Sequence, residues 1–149
     1  MIALSILRVA ICISVVGLLG NAHAQDNLGG LLDKGAKTVL KDEWNALLPV
    51  NVSYIWLSKN GKMALTYKAD SSHSGNAQHF PSGTASGVYG TWKIGENGKI
   101  CIDEKFSNSY WRAEEFCYFL FLLDGQSFIS DSDSDRSARI SKATLESKK

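Results

Sequence analysis

The chain has 149 residues, 44% of them hydrophobic, with 16 basic against 15 acidic side chains and a formal net charge of +1. That length suits one domain, and that hydrophobic share excludes wholesale disorder. The balanced charge argues against a nucleic-acid module, which needs a basic surplus, and three cysteines are too few for a multi-cysteine zinc module or a disulfide-dense scaffold.

Residues 1–24 read as a secretory signal peptide. Arg8 is the only charge, residues 9–19 are apolar, and Ala22-His23-Ala24 offers the small side chains of a cleavage site after Ala24. The run is shorter than the roughly 20 apolar residues of a spanning helix, and Gly17, Gly20 and Asn21 interrupt it. The mature protein is therefore expected in the periplasm or secreted, with no membrane span. Cleavage removes Arg8 and Cys12, leaving 15 basic residues against 15 acidic ones and two cysteines, Cys101 and Cys117. No net field then draws the chain to DNA, RNA or anionic lipid. In an oxidising compartment two cysteines suggest one disulfide, with a pair of buried free thiols as the alternative.

Residues 25–30 are polar and read as a flexible leader to a single β-rich domain over residues 31–141. Leu32, Ala36, Leu40, Trp44 and Leu47 recur at helical spacing, which predicts one amphipathic helix stopped by Pro49. Trp44 reads as the residue that docks this helix on a sheet. Beyond Pro49 the apolar period is two. Asn60-Gly61, Asn97-Gly98 and Asp124-Gly125 are hairpin turn signals. The first, as a two-residue turn, sets Trp56 opposite Leu65 and Tyr54 opposite Tyr67. The second leaves the register open: a two-residue loop sets Ile94 against Cys101, and a three-residue loop with Gly98 in a bulge sets Ile94 against Ile100. The third sets Phe121 opposite Phe128 and Leu120 opposite Ile129. Residues 116–123 are apolar on both faces, as a central strand covered on both sides would be. Residues 70–87 are rich in Ser, Gly, Asn and His and read mostly as loop. Ala138-Arg139-Ile140 suggests one edge strand, and residues 142–149 a polar tail.

No strong catalytic motif emerges. His73 and His79 match no standard zinc spacing and read as surface loop residues, so no metal is expected. Asp131, Asp133 and Asp135 resemble the start of a calcium loop, but Arg136 stands where Gly is needed and Lys142 where Glu is needed. The serine of residues 83–87 is misplaced for a nucleophile elbow. Asp103 and Glu104, with Glu114 and Glu115, could bracket a glycosidic bond as acid and base, although such charges more often decorate strand ends. Residues 107–112 hold Tyr110, Trp111 and Arg112 together in a predicted loop. These are the residue types of binding hot spots, and the competing reading is that Trp111 folds back to plug a barrel end.

Gly90-Thr91-Trp92, then Asn97-Gly98-Lys99-Ile100-Cys101, then Cys117-Tyr118, preceded by Leu47-Leu48-Pro49, resemble the proteobacterial "domain of unknown function 995" family of small exported proteins. The likeness spans most of residues 42–129. It implies a Gram-negative, periplasmic setting and brings no activity or catalytic residue.

These readings converge on a mainly β fold, a small antiparallel, calycin-like barrel or half-barrel with one N-terminal amphipathic helix. The expected function is non-enzymatic binding of a small apolar ligand, a glycan or an envelope protein at a barrel mouth formed by Trp92, Tyr110, Trp111 and Arg112, with no cofactor. Inhibition of an envelope-active enzyme is one version of it, by analogy with the small exported barrels that inhibit lysozyme. The alternatives are a hydrolase of envelope polymers working through the acidic cluster, and a purely structural envelope protein.

Overall fold

The computed structural model describes residues 27–147. The expected signal peptide and its cleavage site, like the last two lysines, lie outside the described residues. The elements are, in order, α1 (Leu28–Asp33), β1 (Lys37–Thr38), α2 (Lys41–Leu47), β2 (Val50–Ile55), β3 (Gly61–Tyr67), β4 (Ser72–His79), β5 (Ala85–Ile94), β6 (Ile100–Phe106), β7 (Glu114–Leu123), β8 (Gln126–Ser130) and β9 (Ile140–Ser147). Strands β2 to β9 pair antiparallel with their sequence neighbours, and β9 returns to pair with β2. The result is a closed eight-stranded barrel, with β1 added outside it along β7. Closure leaves no long unpaired edge among these eight strands.

Alternation sorts the side chains. Val50, Val52, Tyr54, Met63, Leu65, Tyr67, Ile100, Ile102, Tyr118, Leu120 and Ile129 are buried in the lumen cluster. Phe119, Phe121 and Phe128 face the other way and meet Leu28 and Leu31 of α1 in a second, smaller cluster. Strand β7 is therefore apolar on both faces because one face lines the lumen and the other lies under α1. That matches the covered strand expected of residues 116–123.

The single predicted helix is two short ones. Gly35 takes φ +88°, its N–H donates to the Leu32 carbonyl, and the chain leaves α1 to form β1 before α2 begins. A left-handed residue ends a helix whatever the apolar spacing beyond it promises. The expected leader is also partly structured, because α1 starts at Leu28, capped by the Asn27 Oδ1 that accepts the Gly30 N–H at 2.9 Å. Glu43 accepts the Leu40 N–H at the start of α2.

Two stretches read as loop or tail are strands. Much of residues 70–87 is β4, paired residue by residue with β3 and β5. The expected tail is mostly β9, the strand that closes the barrel between β8 and β2. Two flanking ladders satisfy every backbone group of such a strand, so tertiary pairing outweighs weak local propensity.

The hairpins divide. Asp124-Gly125 turns as expected, with Phe121 on Phe128 and Leu120 on Ile129. At Asn97-Gly98 the three-residue loop is the one adopted, setting Ile94 on Ile100 and Trp92 on Ile102. The first hairpin slips: Tyr54 faces Met63 and Val52 faces Leu65, with residues 57–60 forming a four-residue loop. The slip is an even number of positions, so every side chain keeps its expected face.

Candidate binding site

The barrel has two differently closed ends. At one, α2 lays the fully buried Trp44 edge-on against Tyr67, with ring centres 5.1 Å apart, and against Trp92 at 6.1 Å. The Trp92 Nε1 donates to the Lys68 and Ser72 carbonyls at 3.1 Å each. Trp92 is thus a spent, buried residue of the helix end, and its expected place beside Tyr110, Trp111 and Arg112 is corrected. It pairs with Ile102 near the start of β6, whereas the Tyr110 loop follows the end of that strand. The glycine two positions earlier belongs to the same construction. A Cβ on Gly90 would stand 3.0 Å from the His73 ring and 1.8 Å from the Asp103 carbonyl oxygen.

At the opposite end the β6–β7 loop is pinned to β5. Ser107 Oγ accepts the Gly87 N–H, the Asn108 N–H donates to Ser86 Oγ, and Asn108 Oδ1 accepts the Tyr110 N–H. This local bonding, of the kind Asn and Ser favour in turns, sends two adjacent aromatics in opposite directions. Trp111 turns inward, 8% exposed, and stacks between Trp56 and Phe106 at 5.4 Å from each. Tyr110 turns outward and is 56% exposed. Trp111 therefore does plug the barrel, and Tyr110 is the presented ring.

Around Tyr110 the elements converge. Lys59, from the β2–β3 loop, places its Nζ 4.4 Å from the Trp56 ring centre and pairs with Glu114 at the start of β7. His79, at the end of β4, has Nδ1 2.9 Å from Ser82 Oγ and 3.4 Å from the Tyr110 hydroxyl. Phe80 is exposed beside it, its N–H donating to the Asn60 carbonyl. Arg112 is exposed and has no ion-pair partner among the described residues. Lys59, Asn60, His79, Tyr110, Arg112 and Glu114, with Trp111, line a cleft of about 500 Å³. That size lies within the range of small-ligand sites, which pair aromatic walls with a few polar groups.

Two residues before Phe106 on β6, Glu104 is fully buried, with neither carboxyl oxygen hydrogen-bonded among the described residues. It faces Glu114 across β6 and β7. Burial pushes the Glu104 carboxyl up to about 8, the Glu114 charge pushes the same way, and Lys59 opposes both. Tyr54, Tyr67 and Tyr118 fill the lumen around it, burial holding all three phenols protonated well above their usual range. The Tyr118 hydroxyl donates to that of Tyr67 at 2.9 Å. His73, expected on a surface loop, is instead a buried residue of β4, its Nε2 3.2 Å from the Asp103 carbonyl. Burial lowers its pKa.

Strand alternation splits the acidic quartet. Glu104 and Glu114 are on the lumen side, while Asp103 and Glu115 face out, Glu115 lying 3.7 Å from Lys93. The four do not form one cluster. On the same outer face Cys101 stands directly opposite Cys117, and the two are bonded within one chain. Together with Glu115 they form a trio of metal-ligand residue types, but both sulfurs are spent in that bond. The Asp131 to Asp135 turn bonds to itself, Asp135 Oδ1 accepting from the Ser137 N–H and hydroxyl.

Tyr110, Trp111 and Arg112 stand out in the sequence as one group; His79, read as a surface loop residue, and Glu114, weighed as an acid or base, join them only in the fold, and Lys59 and Asn60 carry no functional signal of their own. Only the Asn60-Gly61 turn signal pointed to that end of the molecule. Comparison with protein-family models, with curated proteins and with solved structures finds no match.

Proposed function

We propose that this is an exported, non-enzymatic binding protein whose cleft at the Tyr110 end takes a glycan of the cell envelope. The observation that carries the reading is the cleft itself: exposed Tyr110, rimmed by Asn60, His79 and Arg112. A sugar offers an apolar ring face to an aromatic side chain and hydroxyls to the polar groups around it. The filled lumen favours this surface over an apolar ligand held inside the barrel. The apolar segment of residues 1–24 and the resemblance to the exported DUF995 family support the envelope setting. Within that resemblance Gly90, Trp92 and the cysteines have structural roles, which leaves ligand choice to the β6–β7 loop. The test is a titration of ¹⁵N-labelled protein with soluble hexasaccharides. Saturable amide shifts at residues 59–60, 79–80 and 110–114, abolished by Tyr110→Ala, are expected; shifts absent or confined to other surfaces refute the reading.

A second reading, hydrolysis of an envelope polymer, draws on Glu104 and Glu114. Burial pushes the Glu104 carboxyl up to about 8, and Glu114, opposite it across β6 and β7, pairs with Lys59, so two facing carboxyls have the unlike surroundings of an acid–base pair. Glu104 is fully buried, so this chemistry would require that end of the barrel to open. Release of reducing ends by the protein, lost in Glu114→Gln with binding intact, would support it; no release from any envelope glycan would end it.

A further inference from the structure

The Tyr110 cleft has an uneven chemistry. Lys59 and Glu114 are paired to each other, so their charges cancel within the cleft wall. Of the remaining polar lining, the Arg112 guanidinium only donates, while the Asn60 amide, the His79 ring and the Tyr110 hydroxyl can each donate or accept. Arg112 is the one full charge of the lining with no ion-pair partner among the described residues, and it is exposed next to the presented ring. Its planar fork matches a carboxylate with two parallel hydrogen bonds. Glu104, the other acidic residue on this side of β6 and β7, is fully buried and does not line the cleft, and the lining carboxylate, Glu114, is paired with Lys59.

From this lining we infer that the glycan is acidic, and that a sugar carboxylate docks on Arg112 while the adjoining ring stacks on Tyr110. This inference rests on the glycan reading above and specifies its substrate class. Asn60 and His79 line the same cleft and offer hydrogen-bonding groups to the hydroxyls of a neighbouring sugar. The aromatic walls explain why a sugar acid, rather than a bare anion, suits the site: charge alone fixes one group, and the exposed ring adds contact area that an inorganic anion cannot use.

The deciding experiment is calorimetric titration of the full protein at low salt with four probes of similar length: hexagalacturonate, the N-acetylglucosamine hexamer, the glucosamine hexamer and hexaglutamate. Hexagalacturonate is expected to bind at least tenfold more tightly than the neutral and basic sugars, and to weaken severalfold between 20 and about 150 mM salt, as exposed charge pairs do. Arg112→Ala should cost at least tenfold, Arg112→Lys should restore only part of it because the fork is lost, and Lys68→Ala at the far end should change nothing. Equal binding of the acidic and neutral sugars, unmoved by Arg112→Ala, overturns the acidic inference and leaves the glycan reading standing. Tighter binding of the glucosamine hexamer does the same. Hexaglutamate binding as tightly as hexagalacturonate overturns recognition of a sugar in favour of an acidic peptide. No binding of any sugar overturns both the inference and the reading it rests on.

Discussion

Glu104 couples the folded state to pH. Its carboxyl is raised to about 8 inside the barrel, from an ordinary value of 4.5 when exposed. Between those two values the folded protein holds a proton that the unfolded chain has released, so the contribution of Glu104 to stability is complete below about pH 4.5, falls as the pH rises and is lost above about 8. The loss across that window should be on the order of 3–5 kcal/mol. Denaturant melts at pH 5, 7 and 9 measure it, and Glu104→Gln should flatten the profile, since an amide has no proton to lose. A profile of equal slope in the variant would place the titration elsewhere. Two neighbouring residues separate architecture from recognition. Trp111 is stacked between Trp56 and Phe106, so Trp111→Ala should destabilise the protein by about 3 kcal/mol. Tyr110 is exposed, so Tyr110→Ala should change stability by less than about 0.5 kcal/mol and abolish the glycan binding proposed above. Tyr110→Ala with full binding would leave this end of the barrel a plug and nothing more.

At the scale of elements, the disulfide and the β6–β7 loop act on the same hairpin. Cys101 and Cys117 cross-link β6 to β7 outside the barrel and enclose the loop that carries Tyr110. A loop of 16 residues stabilises by about 3 kcal/mol through the entropy it removes from the unfolded chain. Cys101→Ser with Cys117→Ser should lower the unfolding free energy by about that amount. It should leave the Tyr110 loop in place, because the loop is held by Ser86, Ser107 and Asn108 rather than by the sulfurs. Chemical denaturation reports the first effect, and the Tyr110 and Trp111 amide shifts report the second. What could be read in advance divides along the same line. The Asp124-Gly125 turn is a local matter of two residues, and its register followed from them. Gly35 is local too, yet the apolar spacing from Leu32 to Leu47 concealed its effect, because the helix face continues in register across the break.

For the whole molecule the decisive element is β9. Eight strands close only because Ile140–Ser147 bridges β8 and β2. A chain ending at Arg139 should therefore fail to fold, exposing the lumen faces of Val50, Val52, Tyr54 and Ile129. Loss of amide dispersion and of near-ultraviolet circular dichroism would show it; a folded truncated chain would mean that the seven remaining strands suffice. The same closure explains the two ends. Once the barrel is shut, each mouth needs an aromatic stopper: α2 supplies Trp44 to one and the β6–β7 loop supplies Trp111 to the other.

The amino-acid sequence by itself determined the β character, the alternation that sends each side chain to lumen or surface, the covered nature of β7 and the presence of an aromatic–arginine loop. Each of these depends on residues close together in the chain, where period and turn chemistry act. Only the tertiary structure decided that the sheet closes, that β4 and β9 are strands, that Trp92 stands at the wrong end to join Tyr110, and that Lys59, His79 and Arg112 share a cleft. Those outcomes depend on pairing between segments far apart in the chain. There the free energy comes from ladders and buried faces that no local window contains.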